Sequence, residues 1–330
     1  AARYHRAMRC APALIAMLAI AACGGGDDDA PPMPSPRLVL PPVIAVPYVE
    51  AGAGASAVTV EVRNDGDADT GPLVWGVHGD AGFTLGPTPT VLAAGDRATL
   101  TVRWDGSATE SIAGAVMAVM DGADALSTEV WAVAGAPGLA AATFEPMLGA
   151  GGVTIGASAV VSLPTAPYPA PGRPWTDDRV HLFVPADWRE RDAQDVVLHF
   201  HGHNTTIDRT VPAHRYREQL YASGADAILI VPQGPVQAAS GDFGKLADPA
   251  GTAALLDEVL IVLYRAGVVT RPLLGQVTLT AHSGGYVATA QNLDPDARFA
   301  VGQVGLFDAL YGSAATFRAF ALRGLPLRSN

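Results

Sequence analysis

Between Leu38 and Gly135 apolar and polar residues alternate in short runs. Val58, Val60 and Val62 alternate with polar neighbours and stop at Asn64-Asp65-Gly66. Similar runs cover Leu73 to Val77, Ala98 to Trp104, Val116 to Met120 and Val130 to Val133. A period of two predicts strands with one buried face. Asn64-Asp65-Gly66 has the composition of a hairpin turn. Further turn signals at Gly86-Pro87, Gly95-Asp96, Asp105-Gly106 and Asp121-Gly122 recur about every ten to fifteen residues, the spacing of a β-sandwich.

After Trp175 the pattern becomes strand alternating with helix. RVHLFVP, DVVLHFHG and DAILIVPQG read as buried strands, and PAHRYREQLYASG reads as a helix opened by Pro212 and closed near Gly224. Asp248 with Pro249 starts a second helix that Gly267 ends. The strand QVTLTAH, a helix from Tyr286, the strand FAVGQVGLF and a helix ATFRAFALRG follow, and LPLRSN reads as the start of another strand. Such alternation with continuous apolar strands predicts a doubly wound, mostly parallel sheet covered on both faces. The domain limits are then 1–23 targeting segment, 24–37 tether, 38–135 β-sandwich, 136–175 linker with an edge strand, and 176–330 α/β domain.

The N-terminus changes the picture of where the protein works. Arg3, Arg6 and Arg9 precede an apolar run from Ala11 to Ala22, too short for a bilayer span and flanked like a signal peptide. Its end, Ile20-Ala21-Ala22-Cys23, resembles a bacterial lipobox, which implies lipidation of Cys23 and a cell-envelope location, with periplasmic or secreted as the alternative. GGGDDDAPPMPSP behind it is a flexible, then stiff, tether. The only other cysteine, Cys10, lies in the same segment, so no disulfide is expected in the folded part. A net charge of −11 argues against nucleic acid as a partner. The membrane is expected only through the lipid.

The candidate chemistry is Ala281-His282-Ser283-Gly284-Gly285, a serine between small residues where a strand gives way to a helix. That pattern resembles the nucleophile elbow of α/β-hydrolases, with Ala281 in place of the usual first glycine. R-x-x-L-x-V-P followed by a strand ending in His-Gly is similar to the start of esterases of the polyhydroxybutyrate-depolymerase and feruloyl-esterase type. The sandwich, with its N-D-G turn and F-x-L-G stretch, resembles bacterial immunoglobulin-like modules.

The resemblance implies Ser283 as nucleophile and the N–H groups of Gly284 and His203 as the oxyanion hole. It implies Asp308 as the acid that orients a histidine base. All eight histidines precede or adjoin Ser283, whereas the fold's order is serine, acid, histidine. The base is therefore expected beyond Asn330, in a C-terminally longer protein, and 176–330 is expected to be an incomplete hydrolase-like domain. The ring of His282 is expected to point away along the turn.

His201, Gln233, Asp242 and Lys245, on loops at strand ends, are the expected contacts to a polar ester substrate. Asp208 and His214 read as loop and helix-surface residues. His199, His201 and His203 share a spacing that suits a metal, but the run lacks the acidic and histidine partners of zinc hydrolases, so neither metal nor cofactor is expected. The alternative to a hydrolase is a binding or structural lipoprotein whose hydrolase-like domain has lost catalysis.

Overall fold

The computed structural model describes residues 33–329 apart from 107–111, 123 and 238–240; Cys23 and its flanks lie outside the described residues. The chain divides into two compact units, Ala1–Ala134 and Gly135–Asn330.

In the first unit, one sheet has the order β1 (Leu38–Val39), β4 (Ser56–Asn64), β7 (Arg97–Trp104), β6 (Phe83–Leu85). The other has the order β2 (Val43–Ala45), β9 (Asp124–Gly135), β8 (Ile112–Asp121), β5 (Leu73–Gly79), with β3 (Val49–Glu50) also paired to β9. Val60, Val62, Leu100, Val102 and Trp104 from one sheet share a single core with Met117, Val119, Val130 and Ala132 from the other. These are the inward members of each alternating run, so the period-two pattern places two facing sheets around one interior.

Asn64-Asp65-Gly66 is not a hairpin, because β4 and β5 belong to different sheets. The fully buried Asn64 anchors a crossing instead. Its Oδ1 accepts from the Arg37 and Gly66 N–H groups, and its Nδ2 donates to the Ala68 carbonyl. An amide with every hydrogen-bonding group engaged can be buried at little cost.

The second unit is built on an eight-stranded mixed sheet. Its spatial order is β10 (Glu145–Leu148), β11 (Thr154–Ser162), β12 (Arg179–Pro185), β14 (Ile228–Pro232), β13 (Gln194–Phe200), β15 (Leu274–His282), β16 (Ala300–Phe307), β17 (Leu327–Ser329). The first three strands and the β12–β14 pair are antiparallel; from β14 to β17 every neighbour is parallel. β10 and β11 come from the Ala-, Gly- and Pro-rich stretch read as linker and edge strand.

Helices α1 (Ile207–Ala213) and α2 (Tyr216–Ser223) connect β13 to β14, and α3 (Pro249–Arg265) connects β14 to β15. Beyond β15 come α4 (Tyr286–Gln291) and α5 (Ala314–Leu322). Ile207, Val211 and Leu220 pack with Phe183, Leu229 and Val231 on one sheet face.

The expected helix opened by Pro212 is two helices. Pro212 lies inside α1, and the chain breaks at Arg215, which is left-handed with φ 54°. Asp248 caps α3 as expected, its Oδ1 accepting the Ala250 N–H at 2.8 Å, and left-handed Gly267 follows its end.

From β13 the chain moves to one side to form β14, then returns past β13 to form β15, β16 and β17 on the other. The switch point lies between β13 and β15, at whose C-terminal ends the connections diverge.

Candidate active site

β15 delivers its last residues to that switch point. Val277, Leu279 and Ala281 are fully buried, and the run ends at His282. Ser283 then takes φ 49°, a left-handed conformation that a non-glycine residue pays to adopt, and Ser283–Gly285 form one 3₁₀ turn leading into α4. Gly285 is required by geometry, since a Cβ there would stand 2.2 Å from the Phe200 carbonyl oxygen at the end of β13. Gly202 is constrained in the same way, because a Cβ there would approach Ser283 Cβ to 3.0 Å and His282 Nδ1 to 2.8 Å. The backbone after β13 therefore passes directly beside the serine.

Asp308 stands at the neighbouring strand end. His282 and Phe307 are register partners in β15 and β16, so Ser283 and Asp308 occupy the next position on adjacent parallel strands. Asp308 is also left-handed, at φ 44°, and its carboxylate accepts the Tyr311 hydroxyl, which raises the Tyr311 pKa. Tyr311 in turn meets Tyr286, the first residue of α4, edge to face with ring centroids 6.3 Å apart. Ser283, Gly284 and Asp308 are thus brought to one edge of the sheet, and His203 lies exposed in the turn that follows Gly202.

Two expected substrate contacts are corrected by the structure. His201 is buried, with Nδ1 on the Gly202 carbonyl at 2.9 Å and Nε2 accepting the Gly234 N–H at 2.7 Å. Burial pushes its pKa down to about 4, consistent with a neutral ring whose two nitrogens are both committed to backbone. Gln233 is fully buried as well; its Oε1 accepts the Ile207 N–H and its Nε2 donates to the Gly234 carbonyl. Both brace the strand ends and present no polar atom to a ligand.

Asp242 and Lys245 are likewise occupied. Asp242 pairs with Arg173 Nε at 2.5 Å and accepts the Gly244 N–H at 2.9 Å, while Lys245 Nζ donates to the Pro164 carbonyl at 2.8 Å. They hold their loop to the segment before β12.

His214, read as a helix-surface residue, is exposed at the end of α1, and its ring lies 4.7 Å from the His282 ring, centroid to centroid. His282 accordingly packs against His214 and the Gly202 backbone instead of pointing away. Burial, then His214, lower its pKa, with Asp308 opposing. Asp208 pairs with Arg179 at 2.9 Å.

His199 Nδ1 lies 2.9 Å from Thr280 Oγ1 within the sheet, and Tyr216 covers its ring. Burial, reinforced by His201, His282 and His214, drives its pKa well down. Among the described residues no three His, Cys, Asp or Glu side chains are grouped to hold a metal ion, and no helix is long and apolar enough to cross a membrane.

No family model and no curated protein matches the chain. Among solved structures it is similar to a thermostable carboxylesterase from a metagenomic library, at 12% identity and TM-score 0.26, covering 51% of this chain and 47% of that one. Prolyl oligopeptidase B from Galerina marginata aligns at 9% identity and TM-score 0.23, covering 82% of this chain and 48% of that one. A FixG-related protein from Vibrio parahaemolyticus aligns at 12% identity and TM-score 0.23, covering 31% of this chain and 95% of that one. Superpositions this loose carry no argument, and the site is read from its own geometry.

Proposed function

We propose that this chain is a serine hydrolase of the cell envelope that cleaves a carboxylic ester, with amides as poorer substrates. In this reading the second unit is an α/β-hydrolase-like domain and the first an immunoglobulin-like module, tethered to the membrane by a lipid on Cys23. The observation that carries it is the left-handed Ser283 at the switch point, pinned between Ala281 and a Gly285 that no other residue can replace.

Ser283 Oγ attacks the ester carbonyl carbon, and the N–H groups of Gly284 and His203 receive the charge that develops on the carbonyl oxygen. Gly284 follows the serine directly, so its N–H points where a tetrahedral oxyanion forms. The serine's proton passes to a histidine oriented by Asp308, and the same imidazole returns it to the leaving alcohol. Among the described residues no imidazole is hydrogen-bonded to Asp308, whose oxygen takes the Tyr311 hydroxyl instead.

That same Tyr311 bond favours one competing reading, a binding lipoprotein with an idle elbow. Reaction with a fluorophosphonate probe and with short p-nitrophenyl esters separates the two. Labelling that vanishes in Ser283→Ala supports the hydrolase; an unlabelled serine leaves the binding protein.

A further inference from the structure

The elbow leaves one mechanical problem unsolved by its own residues. Gly284 and Gly285 are consecutive glycines, the residues with the greatest backbone freedom, yet the Gly284 peptide has to hold its N–H in a fixed direction. The tie comes from elsewhere in the chain and holds the carbonyl of the next peptide, Gly284–Gly285, which limits how far Gly284 can turn. Gly241 donates its N–H to the Gly284 carbonyl at 3.0 Å, and a Cβ at Gly241 would stand 2.3 Å from that same oxygen. The approach is so close that only glycine fits.

Gly241 is held by its neighbour. Asp242 uses one carboxylate oxygen for Arg173 Nε and the other for the Gly244 N–H, and its main-chain carbonyl accepts the hydroxyl of the fully buried Tyr168. Lys245 adds its N–H to the Pro167 carbonyl at 3.1 Å and its Nζ to the Pro164 carbonyl. Residues 241–245 are therefore stitched to residues 164–173 on one side and to the elbow on the other. The carboxylate of Asp242 is a quarter exposed, so the ion pair lies at the outer margin of this arrangement.

We propose that the Arg173–Asp242 ion pair is a positioning device for the oxyanion-binding peptide of Ser283, acting through the Gly241–Gly284 hydrogen bond. This rests on the serine-hydrolase reading. Asp242 is a positioning residue in it and touches no substrate. Releasing the pair lets residues 241–245 swing, the Gly284 carbonyl loses its donor, and the adjoining peptide rotates away from the direction an oxyanion requires.

The test compares wild type with Asp242→Asn, Arg173→Gln and the charge-conserving Arg173→Lys. Amide hydrogen exchange at Gly241 is read beside the rate of phosphonylation of Ser283 by a fluorophosphonate. Asp242→Asn and Arg173→Gln are expected to speed Gly241 exchange about tenfold or more while β12 amides keep their rates. The maximal phosphonylation rate should fall roughly tenfold with the half-saturating probe concentration unchanged, and Arg173→Lys should stay near wild type. Unchanged Gly241 exchange overturns the proposal. So does an equal acceleration in β12, which makes the pair a general stabiliser. A wild-type serine that does not react overturns the hydrolase reading alone, and the exchange comparison still decides whether the ion pair fixes Gly241.

Discussion

The two units handle left-handed backbone in opposite ways. Among the described residues of the first unit, every positive φ falls on a glycine, as at Gly95 and Gly122. In the second unit, Asn204, Arg215, Gln237, Ser283, Asp308 and Ser313 adopt it without being glycine. Ser283 and Asp308 follow paired strand ends, and the His214 ring packs on His282. The described part of the first unit leaves left-handed backbone to glycine; the second places two strained residues, Ser283 and Asp308, at neighbouring strand ends. Strain costs stability and persists only where the surrounding structure over-determines it.

The hardest test of that contrast is at the serine. Ser283→Ala is expected to remove probe labelling and ester turnover by several orders of magnitude, with thermal stability changed little. Activity that survives would mean that the strained turn positions something else.

Acid should separate the units next. The described histidines that are buried, His181, His199 and His201, all belong to the second unit. Burial lowers the pKa of His181 and of His201 to about 4, from 6.5. The unfolded chain therefore binds more protons than the folded one between those values. Stability is fully present above pH 6.5 and falls as the pH drops toward 4, by about 3 kcal/mol for His201 alone. Calorimetry at pH 7 and pH 4.5 should show the second unit's transition moving down much further than the first's. Equal movement would erase the distinction.

A smaller effect sharpens it. Ser283→Gly relieves the left-handed strain and should stabilise the second unit by about 1 kcal/mol while abolishing labelling. Gly95→Ala, at φ 77° with open space around it, should destabilise the first unit by about 1 kcal/mol through backbone strain alone. Chemical denaturation of each variant gives the signs. The least effect is expected at Lys245, where Lys245→Ala should shift stability by no more than about 0.5 kcal/mol and leave the Michaelis constant for a neutral ester unchanged. A large rise in that constant would restore Lys245 as a substrate contact.

Much of this arrangement was legible in residue order. Small residues two positions either side of a serine, at a strand's end, announce a turn in which the backbone of another strand comes close. The Phe200 carbonyl beneath Gly285 is that approach. Asp308 was legible because the alternation in FAVGQVGLF stops just before it.

Loop residues were harder to read. Gln233 and Asp242 are polar residues in polar, Gly-containing stretches, and nothing local says whether such a side chain faces water or caps a neighbouring backbone group. Their partners lie 26 residues away at Ile207 and far upstream at Arg173. β11 is the edge strand read within 136–175, but β10 was obscured because Glu145-Pro146 carries little strand signal of its own, and pairing with β11 supplies what propensity does not. The contact of His214 with His282 joins residues far apart in the chain, which no local pattern marks.

The close approach at Gly285 also limits how this sequence can drift. The atom a new Cβ would strike is a main-chain oxygen, which every amino acid at position 200 carries, so no second substitution there can accommodate a larger residue at 285. Gly114 in β8 offers the opposite case. Its obstacle, at 2.6 Å, is the indole of Trp131, and shrinking that side chain opens the space. A larger residue at position 114 can be offset by a smaller one at position 131, whereas position 285 has no partner with which to trade and is tied to glycine as long as the chain bends beneath it.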